Sequence, residues 1–166
     1  MCVHRLNVFL TIALFMPLTA AAQQDGSENS VQRQATVELL ALHRGERRAH
    51  LDHDVEALLV HLGPELLDVR DGRVNRMSKN DVRVRFVEYF KHSQFWAWDD
   101  VEAPIVHVSP DGKMGWMIVQ VRIAYTETDV SGKKTNQDSV AAWMSTYEKQ
   151  NGNWIMTAVT STFAEK

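Results

Sequence analysis

Apolar residues at Val37, Leu40, Ala41, Leu51, Val55, Leu58 and Leu62 recur at helical spacing, the repeat of one helix face. Arg44 and Arg48 interrupt that face, Gly45 weakens the helix interior by roughly 1 kcal/mol relative to alanine, and Asp52-His53-Asp54 supplies an N-cap for a second helix. Gly63-Pro64 stops the second helix. Two short runs, 66–69 and 73–77, then flank Asp71-Gly72, the favoured pair for a two-residue hairpin turn. Ser78, with Asp81 three residues on, resembles a helix N-cap, and Val82, Phe86, Tyr89 and Phe90 give the third helix its apolar face. Everything beyond is strand and turn: 95–108, 114–128, 135–149 and 154–163, separated by Ser109-Pro110-Asp111-Gly112, Val130-Ser131-Gly132 and Asn151-Gly152. Turns this short make consecutive strands antiparallel neighbours. Pro104 inside the first long strand predicts a bulge or an edge position.

The amino-terminal pattern is different. A short basic start to Arg5, the apolar run 8–16 and Ala20-Ala21-Ala22 are the three parts of an export signal. The run is too short to span a bilayer, which takes about 20 apolar residues. Cleavage is expected after Ala22, so residues 1–22 are the signal, 23–30 a polar flexible leader and 31–166 one domain. A periplasmic or secreted product with no stable membrane anchor follows. The single cysteine, Cys2, leaves with the signal, and disulfides and thiolate chemistry leave with it. The formal charge of −3 becomes −4 on losing Arg5, with both signs interspersed, so nucleic acid is not an expected partner.

Two helices, a hairpin, a third helix and a four-stranded meander make an α+β chain. This order resembles the nuclear transport factor two-like superfamily, in its SnoaL-like branch. The resemblance rests on Leu67-Asp68-Val69 running through Asp71-Gly72 into Ser78-Lys79, on Trp98-Asp99-Asp100, on Ser109 to Met114, and on Trp143 to Lys149 with Asn151 to Trp154. It implies a cone in which a curved antiparallel sheet wraps around about three helices, an apolar pocket, and a homodimer formed through the sheet. The superfamily includes ketosteroid isomerases, polyketide cyclases, dehydratases and epoxide hydrolases beside binding and assembly domains, so the fold leaves the function open. A ketosteroid isomerase sets a carboxylate base beside an oxyanion hole of tyrosine and protonated aspartate. By order along the chain, Asp68 is the residue nearest to that base.

His50 is either a hydrogen-bonded residue at the core's edge or a second proton carrier, its ordinary pKa of about 6.5 suiting transfer near neutrality. His43 and His53 are expected in solvent. Arg70 shares strand parity with Asp68 and pairs either with it or with a surface partner. Along 117–125, Met117, Val119, Val121, Ile123 and Tyr125 form an apolar face, while Gln120 and Arg122 line a polar pocket end or a sheet-to-sheet contact. Of the many aromatics most belong to the core, and Trp98 and Trp143 suit a pocket wall, being wide rings with one donor each. The expected ligand set is thus Arg70, Trp98, Arg122, Tyr125 and Trp143, around Asp68 and His50 as catalytic candidates. No HExxH, GxSxG, GxxxxGK[ST] or GxGxxG is present, so no metal or other cofactor is expected. Three functions fit: an exported domain binding a small apolar or amphipathic molecule, an isomerase, cyclase or dehydratase using Asp68 or His50, and a dimeric interaction module.

Overall fold

The computed structural model describes residues 29–164. The expected cleavage site and most of the leader lie outside them. Helix α1 (Ser30–Asp52) begins at a capping box: the Asn29 side chain accepts from the Gln32 amide at 2.9 Å, and the Gln32 side chain accepts from the Asn29 amide at 3.1 Å. His53 closes it in the left-handed region, and Asp54 caps the five-residue α2 (Val55–Leu59) by accepting from the Ala57 amide. Strands β1 (Leu62–Arg70) and β2 (Arg73–Ser78) form the hairpin, its turn holding Asp71 and Gly72 both at positive φ. That is the type I′ geometry that Asp-Gly favours. Gly63 and Pro64 lie within β1, so the chain passes from α2 into strand after two residues. Ser78 and Asp81 cap α3 (Lys79–His92) reciprocally.

The segment around Pro104 is two strands, β3 (Ser93–Asp100) and β4 (Ile105–Val108), and both pair with β5 (Met114–Thr128) along one edge. β6 (Lys134–Gln150) and β7 (Asn153–Phe163) complete the meander. Together the strands form one curved, unclosed sheet in the order β2-β1-β7-β6-β5-β3, with β4 also on β5. All pairs are antiparallel except β1 with β7, which run parallel and join the hairpin to the meander. This is the α+β cone that the family resemblance implies.

The core lies between α1 and the concave face of the sheet, where Leu39, Leu42 and Ala49 meet Met117, Val119, Val121, Tyr147 and Trp154. α1 sits close to β5 at Gly115, where an added Cβ would stand 2.9 Å from Leu39 Cδ1 and 3.0 Å from the His107 carbonyl oxygen. Only glycine leaves room for that approach. A second cluster, Leu59, Leu62, Leu66 and Val82, seals α2 and α3 against β1. The buried face of α1 is Ala35, Leu39, Leu42, His43, Ala49 and His50. It is rotated from the face predicted by Val37, Leu40 and Ala41, of which Val37 and Ala41 are exposed. Arg44 and Arg48 are consequently on the solvent side.

Candidate functional site

Two polar regions break the apolar interior. In the first, His50 lies in a ring of aromatics: stacked on Trp98 at 3.7 Å between centroids, and edge-on to Phe86, Phe90 and Phe95. Its Nδ1–H donates to the Glu46 backbone carbonyl at 2.8 Å, which fixes the tautomer. Burial among these rings pushes the imidazole pKa down to about 4, with a smaller contribution from His43, so His50 is neutral at physiological pH. Trp143 reaches the same cluster, 6.1 Å from Trp98. These side chains pack against one another, so the ring around His50 is filled.

The second region is an open cleft of about 520 Å³ between α1, α2 and the β6–β7 turn. Glu38, Leu42, Glu46, Val60, His61 and Trp154 are among the residues lining it. Glu38 is anchored: Lys149 Nζ donates to its carboxylate at 2.6 Å and Trp154 Nε1 at 2.8 Å. The Lys149 hydrogen bond is the main cause holding the Glu38 carboxyl below its ordinary range. Glu46, two turns on, has no side-chain hydrogen bond among the described residues. It is half-buried, and desolvation by the surrounding walls pushes its carboxyl up to about 8. Its charge also bears on Tyr147, whose phenol is raised well above its ordinary range, chiefly by burial. Ser145 neighbours Tyr147, but the two hydroxyls do not reach hydrogen-bond geometry, and both are buried without a partner among the described residues. A neutral carboxyl in a cleft with apolar walls can donate or accept a hydrogen bond, and can exchange a proton near neutral pH.

The residues expected to form one site are distributed over several places. Asp68 is buried and accepts from the Nε and Nη2 of Arg70, and from Arg85 Nη1 at 3.4 Å. It therefore anchors two guanidinium groups between the hairpin and α3, while His50 has separate neighbours in the aromatic ring. Tyr125 is half-buried at the other side of α3, beside Tyr89 and Phe95. Arg122 lies on the outer face of the sheet, where it is bidentate to Asp138 and stands 5.7 Å from the ring of the exposed Trp96. His43 is buried, not solvated, and its Nε2–H donates to Asp100 at 2.7 Å. His53 stacks on Phe90. Among the described residues no group of three or more His, Cys, Asp or Glu side chains is placed to hold a metal ion.

Glu46 escaped sequence reasoning although a signal was present. It falls on the stripe 35, 39, 42, 46, 49, whose other members are all apolar, and a lone acid on a buried stripe marks an uncompensated carboxyl. A helix face drawn through Val37 and Leu40 lies opposite Glu46, so that face gives no sign of it.

No protein-family model matches the sequence, and no curated protein matches it. Solved structures do. An NTF2-like protein from Cytophaga hutchinsonii is similar at 18% identity and a TM-score of 0.62, over 79% of this chain and 98% of the other. A candidate calcium/calmodulin-dependent kinase II association domain from Exiguobacterium sibiricum is similar at 15% identity and a TM-score of 0.62, over 85% and 99%. A ketosteroid isomerase-like protein from Erwinia carotovora atroseptica is similar at 14% identity and a TM-score of 0.56, again over 85% and 99%. With the element order, the curved sheet and these likenesses together, the chain has the nuclear transport factor two-like fold.

Proposed function

We propose that this protein is an exported, SnoaL-like domain that binds a small amphipathic molecule in the cleft between α1, α2 and the β6–β7 turn. The observation that carries this is Glu46, a carboxyl without a side-chain partner among the described residues, on the wall of a cleft of about 520 Å³. That volume is in the range of small-molecule sites, and a few polar groups on apolar walls are their usual chemistry. Gly45 supplies the test, because it lines the cleft and a Cβ there meets nothing within 4 Å. Gly45→Leu should fill the cleft, and the helix should gain about 0.5–1 kcal/mol from losing a mid-helix glycine. Fragments that shift the Trp154 indole resonance in the wild type should lose that effect in the variant. Fragment binding unaffected by Gly45→Leu refutes the cleft as the site.

Residues 1–22 are proposed as the export signal, cut between Ala22 and Gln23, which the intact mass of exported protein tests. A homodimer is proposed through the outer face of the sheet. There Val69, Met144 and Ala158 line an apolar groove of about 220 Å³, and the ion-paired Arg122 and Asp138 are exposed on the same sheet. An enzymatic reading is supported by the burial of Glu46, which pushes its carboxyl up to about 8, toward the range that suits a general acid near neutral pH. Asp68 is less suited to that role, since its carboxylate is held by two arginines.

A further inference from the structure

The cleft also has a charge preference, which deepens the reading of it as a ligand site and rests on that reading. Its titratable lining groups are Glu38, Glu46 and His61, and no lysine or arginine lines it among the described residues. Glu38 is already compensated by Lys149, whose ammonium stands 5.4 Å from the Trp154 ring centroid. His61 turns its Nδ1–H to the Trp154 carbonyl. Glu46 alone is left without a counter-charge, on a wall that also carries Leu42, Val60 and the Trp154 indole. We infer that the cleft takes an organic ammonium ion with an aromatic or other apolar body, seated with its N–H groups on the Glu46 carboxylate.

An anion is disfavoured by two carboxyls and the lack of a cationic lining group. A neutral amphipathic molecule fills the same walls but leaves the carboxyl without a charge partner. In the empty cleft Glu46 is protonated near neutral pH, because burial pushes it up to about 8. Binding breaks the carboxyl O–H bond, the proton leaves to solvent, and the resulting carboxylate accepts hydrogen bonds from the ammonium. No electrons change hands. Of the other titratable groups in or around the cleft, Glu38 is held as a carboxylate by Lys149, His61 keeps its Nδ1–H on the Trp154 carbonyl, His50 is neutral with its Nδ1–H on the Glu46 carbonyl, and Tyr147 is an un-ionised phenol. Loss of the release in Glu46→Gln therefore assigns the proton to Glu46 rather than to His61.

Three isosteric probes separate the possibilities: phenethylamine, 2-phenylethanol and phenylacetate. Affinity is read from the Trp154 indole resonance, and proton release from calorimetry in buffers of different ionisation enthalpy, on the wild type and Glu46→Gln. The amine should bind wild type tighter than the alcohol, and at least about tenfold tighter at pH 9, where Glu46 is mostly ionised and its deprotonation no longer opposes binding. It should release close to one proton near pH 7, phenylacetate should be the weakest, and Glu46→Gln should abolish both the preference and the release. An alcohol that binds as tightly as the amine, with no proton released, overturns the charge inference and leaves the cleft a ligand site. If none of the three perturbs Trp154, both the inference and the cleft reading fail. The comparison of probes on wild type decides the matter even if Glu46→Gln does not fold.

Discussion

Glu46→Gln tests the environment of the cleft without any ligand. In the folded chain the carboxyl is raised from 4.5 to about 8, so the native state holds the proton more tightly than the unfolded state does. The sign follows directly: this contribution to stability is fully present below about pH 4.5 and is lost as pH rises toward 8. With each pKa unit worth about 1.4 kcal/mol, wild type should lose at most about 3.5 kcal/mol between pH 5 and pH 8 through this group. That is an upper bound, because the half-buried Glu46 keeps some contact with water. His50 acts in the opposite sense and in a different window. Its pKa is lowered from 6.5 to about 4, so its contribution is present above pH 6.5 and is lost as pH falls toward 4. Denaturant unfolding of both proteins across pH 5 to 8 isolates Glu46, since the His50 contribution is common to the two and cancels in their difference. The glutamine amide adds a constant offset but no slope. A wild-type minus variant difference that is flat across that range would refute the desolvated carboxyl and with it the argument for the cleft.

Two further substitutions probe the other regions. Asp68→Asn removes the buried anchor of Arg70 and Arg85 and should cost about 2–3 kcal/mol in denaturant unfolding, the lower side for a broken buried pair because both arginines reach solvent; an unchanged midpoint would show that the ion pairs contribute nothing, and fragment binding in the cleft should not move. Arg122→Glu sets a second acid beside Asp138 on the outer face, and in a two-fold interface the repulsion occurs twice, so sedimentation should shift toward monomer; a wild type that sediments as a monomer would end the dimer proposal.

The local signals in the chain translate well into structure. Asp71-Gly72, Ser78 with Asp81, and Asp54 each carry their own geometry, since a turn or cap is decided by a few adjacent residues. Pro104 marks an edge position for the same reason, although the segment there is two strands and not the one long strand expected. What pattern could not supply was long-range. The parallel contact of β1 with β7 joins residues some ninety positions apart, and nothing local encodes it. The candidate site failed to be legible through one rotation of α1. The face drawn through Val37, Leu40 and Ala41 carries Arg44 and Arg48, whereas the stripe of Ala35, Leu39, Leu42 and Ala49 is the one that packs on Gly115 and the sheet, and it carries Glu46 with it. The pattern held both faces, and only the packing decides between them. For Asp68, parity with Arg70 was readable, but Arg85 reaches it from α3, a contact that sequence spacing does not reveal.

β7 is the keystone of the sheet. It is hydrogen-bonded to β6 on one side and to β1 on the other, and β1 and β6 do not pair with each other, so among the described residues the hairpin and the meander are joined in the sheet through β7 alone. Peeling β7 away therefore parts the sheet in two and bares a row of unpaired backbone groups on both β1 and β6 at once, the template on which strands of other copies add.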